Sequence, residues 1–204
     1  MVTPRQTHPS PPPSGIIVEG LEIQALDIPA LKIFRAEPKQ DIRGTVTPTF
    51  NRLFLEKLDI AFEIVHENHC VSPKKWTVRG FHYQLPPHGQ AKLIRVTHGR
   101  ILDVNIDLRK SSATFGQYCQ VELGPDTWNQ ILVPEGFAHC YCTLEDHTEV
   151  IFKLGSPFAP SSARGLAWND PDLQIPWPVS EDSAIVLDRD LQRPRFSTLT
   201  EWFP

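Results

Sequence analysis

Ile101 to Leu108 alternates without a fault, and no other stretch limits the possible folds as much. Leu102, Val104, Ile106 and Leu108 fall on one face of an extended chain, and Asp103, Asn105 and Asp107 on the other. This pattern specifies a half-buried strand with a polar face, which meets solvent in an open sheet or lines a wet interior if the sheet curls into a barrel. Gln117 to Leu123, Asn129 to Val133, Pro134 to Leu144 and Thr148 to Leu154 continue as extended segments, with no helical stretch between them. Twenty prolines and eleven glycines are scattered along the chain as turn residues. Many short strands punctuated in this way argue for an all-β sandwich or barrel.

The flanks are less regular. Residues 1–15 form a Pro-rich tail that has too little apolar surface to bury, and disorder or polyproline character is expected there. Residues 16–204 read as a single domain. Short strands are expected at Ile16 to Val18 and Leu31 to Phe34, a turn at Asp41 to Gly44, one short helix over Leu53 to Leu58, and a return to strand from Phe62 to His66. Beyond Pro157 the chain is Pro-rich and irregular, with a short strand or turn and some helix between Ile185 and Arg195. A net charge of −4 argues against nucleic acid or an anionic membrane as the main partner, so any phosphate site must be a local basic cluster. Cys140 and Cys142 are too closely spaced for a Cys-x-x-Cys signature, and with Cys70 and Cys119 they read as reduced thiols. No apolar run resembles a signal or a membrane span, and a cytoplasmic protein is expected.

The chemistry concentrates in Val78-Arg-Gly-Phe-His82-Tyr-Gln84 and the following Leu85 to Lys92. The flanks Trp76 to Val78 and Leu93 to Val96 read as two strands joined by a tight connection. Strict alternation would put Arg79 and His82 on opposite faces. Gly80 lies between them, and a glycine-centred bulge would turn both to one face. The plainer reading is a surface Arg and Lys with a hydrogen-bonded core His.

Pro134-x-Gly136-x-x-His139 resembles the second motif of the cupin superfamily. The order of Arg79-Gly-Phe-His82-Tyr-Gln84, Gln90-Ala-Lys92, Gly99 to Arg109, Phe115-Gly116, Pro134 to His139, Trp168 to Pro171 and Ile175 to Pro178 resembles the dTDP-4-dehydrorhamnose 3,5-epimerase family, from about Ile16 to Asp190. The resemblance implies an all-β cupin, a double-stranded β-helix or jelly-roll barrel with few short helices. It implies an isomerase without metal or cofactor, which inverts C3 and/or C5 of a nucleoside-diphosphate 4-keto-6-deoxysugar. It further implies a homodimer in which an N-terminal strand, near Leu31 to Phe34, adds to the partner's sheet. His82 matches the family's general base and Lys92 the lysine near the sugar oxygen. The aspartate that orients the base falls in Val186-Leu-Asp188-Arg-Asp190, with Asp190 the match and Asp188 the fallback. Arg79, Arg43 and His139 match positions that hold substrate and diphosphate. Asn68, Gln84, Phe152 and Phe158 complete the implied substrate contacts.

Two departures matter. Phe152-Lys153 replaces the Tyr-Lys pair that carries the family's proton donor, and Phe158 replaces a second tyrosine. Thr45 to Phe50 contains no acid where the family has a glutamate near the nucleotide, so the base recognised is left open. Tyr141 stands where phenylalanine is common, two residues after His139 on one strand face, and is a candidate for the displaced hydroxyl. Phe152 is expected on the strand paired with that of Tyr141. A family member that binds the keto-sugar nucleotide but isomerises it, or does no chemistry, is the alternative. A metal cupin would need a second histidine in the first motif, and His82-Tyr83-Gln84 lacks it.

Overall fold

The computed structural model describes residues 16–18, 21–57 and 60–204. The expected tail, residues 1–15, and Leu58 of the expected helix lie outside the described residues. In chain order the strands are β1 Ile16–Val18, β2 Leu21–Ala25, β3 Lys32–Ala36, β4 Lys39–Asp41, β5 Gly44–Val46, β6 His66–Ser72 and β7 Val78–Gln84. They continue as β8 Lys92–His98, β9 Ile101–Asp107, β10 Tyr118–Leu123, β11 Asn129–Val133, β12 Phe137–Thr143, β13 Thr148–Leu154 and β14 Ala163–Gly165. The helices are short: α1 Arg52–Lys57 and α2 Asp188–Leu191. Phe62 to Val65 is irregular rather than strand, and β6 begins only at His66. Among the described residues no helix is long and apolar enough to cross a membrane.

Two antiparallel sheets face each other as the expected jelly roll. One has the order β1-β2-β3-β11-β8-β13-β6 and the other β10-β9-β12-β7-β14, while β4 and β5 form a separate hairpin. Apart from the β1-β2-β3 meander and the β9–β10 hairpin, consecutive strands from β6 onward cross between the sheets. The Leu85 to Ala91 connection carries the chain from β7 in one sheet to β8 in the other, so these strands do not pair with each other. β12 and β13 are divided in the same way, which corrects the expectation that Phe152 pairs with the strand of Tyr141: β13 pairs with β6 and β8.

Three apolar layers follow from the alternation. Between the sheets, Ile33, Ile94, Val96, Ile131, Val133, Phe137 and Val150 fill one end of the barrel. Outside the larger sheet, Leu21, Ile23, Phe34, Leu93 and Leu132 pack beneath Leu55 and Phe62. Outside the smaller sheet, Val104, Ile106, Leu108, Ala138, Cys140 and Cys142 are covered by the irregular C-terminal segment through Leu166, Trp168, Leu173 and Phe203.

The polar face of β9 therefore points inward, and Asp103, Asn105 and Asp107 are fully buried. Each has a local hydrogen-bond partner, although the Asn105 Oδ1 has none among the described residues. Asp107 accepts hydrogen bonds from Arg109, Ser112 and Thr114, Asn105 donates to Asp103, and Asp103 pairs with His139. The cysteines are free thiols; Cys119, Cys140 and Cys142 are buried and Cys70 half-buried.

Candidate active site

The end of the barrel left unfilled by the apolar layer is a cavity of about 570 Å³, within the range in which proteins bind small molecules. Its walls come from β6, β7, β8, β12 and β13, and the segment from Ile185 to Arg193 closes one side. Gly80 makes the first wall. In the β7–β12 ladder, His82 faces His139 and Arg79 faces Tyr141, so three steps on β7 span two on β12. The extra residue is the bulge expected from the sequence, and it turns Arg79 and His82 to the same side. Only glycine fits there. Its φ is +134°, and an added Cβ would lie 2.6 Å from the Cys140 Cα and the His139 carbonyl oxygen.

His82 Nε2 lies 2.9 Å from Asp190 Oδ1. The carboxylate is buried and the imidazole is 38% exposed to the cavity. Thr77 bridges to Ile185 beside β7, and this docking starts the α2 turn that delivers Asp190. Burial raises the Asp190 pKa, but His82, Arg189 and Arg193 outweigh it and hold the carboxyl below its ordinary range. Asp188, the fallback, is exposed and forms no pair with His82.

Lys92 is buried, with Nζ donating to the His82 carbonyl at 3.0 Å. Burial pushes its pKa down to about 8, against the pull of Asp103. His139 Nε2 lies 2.7 Å from Asp103 Oδ2, and burial lowers the imidazole pKa despite that partner. The rings of His139, Tyr141 and Phe152 pack at 5.8–6.1 Å between centroids. Phe152 thus reaches Tyr141 across the barrel rather than along a shared ladder. Tyr141 is buried beside Arg79 and Ser72, and burial raises its phenol pKa.

The comparisons with known proteins meet this geometry. A profile of the dTDP-4-dehydrorhamnose 3,5-epimerase family matches residues 25–198. The chain belongs to that family. A relative so named from Shigella flexneri is 37% identical over 171 residues, covering 83% of this chain and 93% of the relative. The crystal structure of the Bacillus anthracis dTDP-4-dehydrorhamnose 3,5-epimerase, with TDP and PPi bound, superposes with a TM-score of 0.82 at 38% identity, over 86% of this chain and 99% of that one. A Legionella pneumophila dTDP-6-deoxy-D-glucose-3,5-epimerase, in complex with dTDP-4-keto-L-rhamnose, gives a TM-score of 0.82 at 30% identity, over 88% of this chain and 95% of that one.

Most of the candidate site residues line the cavity: Arg79, His82, Lys92, His139, Tyr141 and Asp190, with Asn68 and Phe152 on the facing wall. Phe158 stands at the mouth, 68% exposed. Gln84 lines the cavity, but its amide is committed to the scaffold. It donates to the carbonyls of His88 and Pro157 and accepts from the Ala159 amide, which pins the loop carrying Phe158. Arg43 is not brought to the cavity of its own chain. It sits at the tip of the exposed β4–β5 hairpin, paired with Asp41. Three cationic side chains reach the site without any motif to announce them: Arg164, Arg189 and Arg193. They arrive with β14 and the C-terminal segment, where the sequence has no period to follow.

Proposed function

We propose that this chain is an epimerase that inverts C3 and/or C5 of a nucleoside-diphosphate 4-keto-6-deoxysugar by proton removal and return, in deoxysugar biosynthesis. The observation that carries this is the His82–Asp190 pair opening onto a cavity of sugar-nucleotide size in a chain of this isomerase family. With Asp190 ionised, the His82 Nε2–H donates to it, which leaves the Nδ1 lone pair as the base. That nitrogen takes the proton next to the C4 ketone, giving an imidazolium and an enolate. The cationic Lys92 stabilises the enolate oxygen. A proton delivered from the opposite face completes inversion. Tyr141 is the proposed donor, because Phe152 has none and the His139 Nε2 is engaged with Asp103. Solvent then returns the protons. Arg79 suits a diphosphate, which a planar guanidinium group binds bidentately.

The test uses a dTDP-4-keto-6-deoxysugar, the class found with the Legionella relative, in deuterated water. Wild-type protein is expected to exchange the protons flanking the ketone and to form epimer. His82→Asn is expected to lower exchange by about 10²–10⁴-fold with the fold intact, the usual contribution of a positioned base. Exchange at the wild-type rate in that variant would remove His82 from the role.

The working unit is proposed to be a homodimer. The strand first expected to reach the partner, β3, pairs within its own chain, with β2 on one side and β11 on the other. The better-suited element is the β4–β5 hairpin. All of its strand residues are exposed, and it carries Ile42 and Arg43 at its tip.

A further inference from the structure

We propose that Arg193 is a positioning residue that sets, through Asp190, the pH at which His82 becomes a competent base. This inference rests on the assignment of His82 above. Three observations place Arg193 in that role. Its Nε lies 3.6 Å from Asp190 Oδ1, the same oxygen that receives the His82 Nε2 at 2.9 Å. That Nε is buried and has no hydrogen-bond partner among the described residues, so no acceptor competes there with the carboxylate for it. The route to Asp190 is also built for it. Gly165 stands opposite His82 in the β14–β7 register, and a Cβ on Gly165 would lie 2.8 Å from the Arg193 Nε and 2.6 Å from the Phe81 carbonyl oxygen. The guanidinium crosses the strand where a side chain is missing.

The sign follows from the charges. A carboxylate beside an imidazole favours its charged form. A cation beside that carboxylate offsets the attraction, in the direction of the neutral imidazole that a base needs. The other groups facing the pair are Arg79 on β7, Lys92 on β8, His139 and Cys140 on β12, Arg164 on β14 and Arg189 on α2. Cys140 is held neutral, its thiol pushed well above the ordinary range by burial. Arg189 is the internal comparison. Its Nε is 3.7 Å from the same oxygen, but its side chain is 66% exposed against 28% for Arg193, so water screens it more.

The experiment is the pH dependence of deuterium exchange into a dTDP-4-keto-6-deoxysugar by the full chain. Arg193→Gln is expected to move the acid limb to higher pH by roughly 0.5–1 unit. Arg193→Met should do the same while keeping an aliphatic stem over Gly165. Arg193→Lys is expected to restore the wild-type limb, and Arg189→Gln to move it by less than half as much. The His82 imidazole, assigned with His82→Asn, is titrated by NMR in the same proteins without substrate. An acid limb and an imidazole titration that stay in place, or move to lower pH, in both uncharged variants overturn the proposal. A wild type that never exchanges, or a His82→Asn that exchanges as fast, overturns the base assignment instead, and the NMR titration still decides the coupling of Arg193 to His82.

Discussion

Phe152 has no proton to give, and the phenol packed against its ring, 5.8 Å away between centroids, is Tyr141. Because burial raises its pKa, Tyr141 keeps its proton across neutral pH, as a donor waiting for an enolate must. Tyr141→Phe is expected to retain His82-driven washout of the α-proton but to lose inversion by about 10²–10⁴-fold. Adding Phe152→Tyr to that variant should recover inversion, read as epimer yield against deuterium content. Unchanged inversion by Tyr141→Phe would move the donor to another group or to water. Lys92 governs the opposite end of the pH range. With its pKa pushed down to about 8, the ammonium is present below that pH and is lost as the pH rises through it. Exchange is therefore expected to fall on the alkaline side near pH 8, and a rate that stays flat to pH 10 would show that the Lys92 charge is not used.

The element that makes the site is the bulged strand β7. Gly80→Ala is expected to destabilise the protein by roughly 2 kcal/mol or more, because the new methyl must displace the β12 backbone and the positive φ strains any residue but glycine. Urea unfolding measures this, and a loss below half a kcal/mol would mean that the bulge relaxes. That bulge was legible in the sequence, since Arg79 and His82 can share a face only if alternation breaks between them. The strand β9 was legible too, but not where its polar face pointed. Alternation separates Asp103 from Val104 whether the sheet is open or closed; Asp103 and His139 are diagonal neighbours on the paired strands β9 and β12, and the second sheet packed over that face is what buries them. The pairing of Phe152 was misread for a related reason. Thr143 and Thr148 are separated by a turn short enough for a hairpin, yet a jelly roll sends successive strands to opposite sheets. Asp190 was found through a partial motif, whereas Arg193 was not, because its placement depends on an aperiodic segment packing over Gly165.

At the scale of the whole molecule, the chain as described lacks one expected contributor. Arg43 stands free of its own cavity on a hairpin whose exposed Ile42 and Val46 have nothing to pack on. A second copy that buries this hairpin would remove both residues from water. Sedimentation is expected to give a dimer at micromolar concentration, and Ile42→Asp should shift it toward monomer and raise the KM for the nucleotide sugar. A monomeric wild type with full exchange activity would rule out a shared site.

The C-terminal segment covers the outer face of the smaller sheet and also brings Asp190 to His82, 108 residues away in the chain. During synthesis every strand from β1 to β14 therefore leaves the ribosome before the base has its carboxylate. A chain ending just after β14 would have no carboxylate at His82 and would bare the Val104, Ile106 and Cys140 face, an exposed apolar patch of the kind that promotes association.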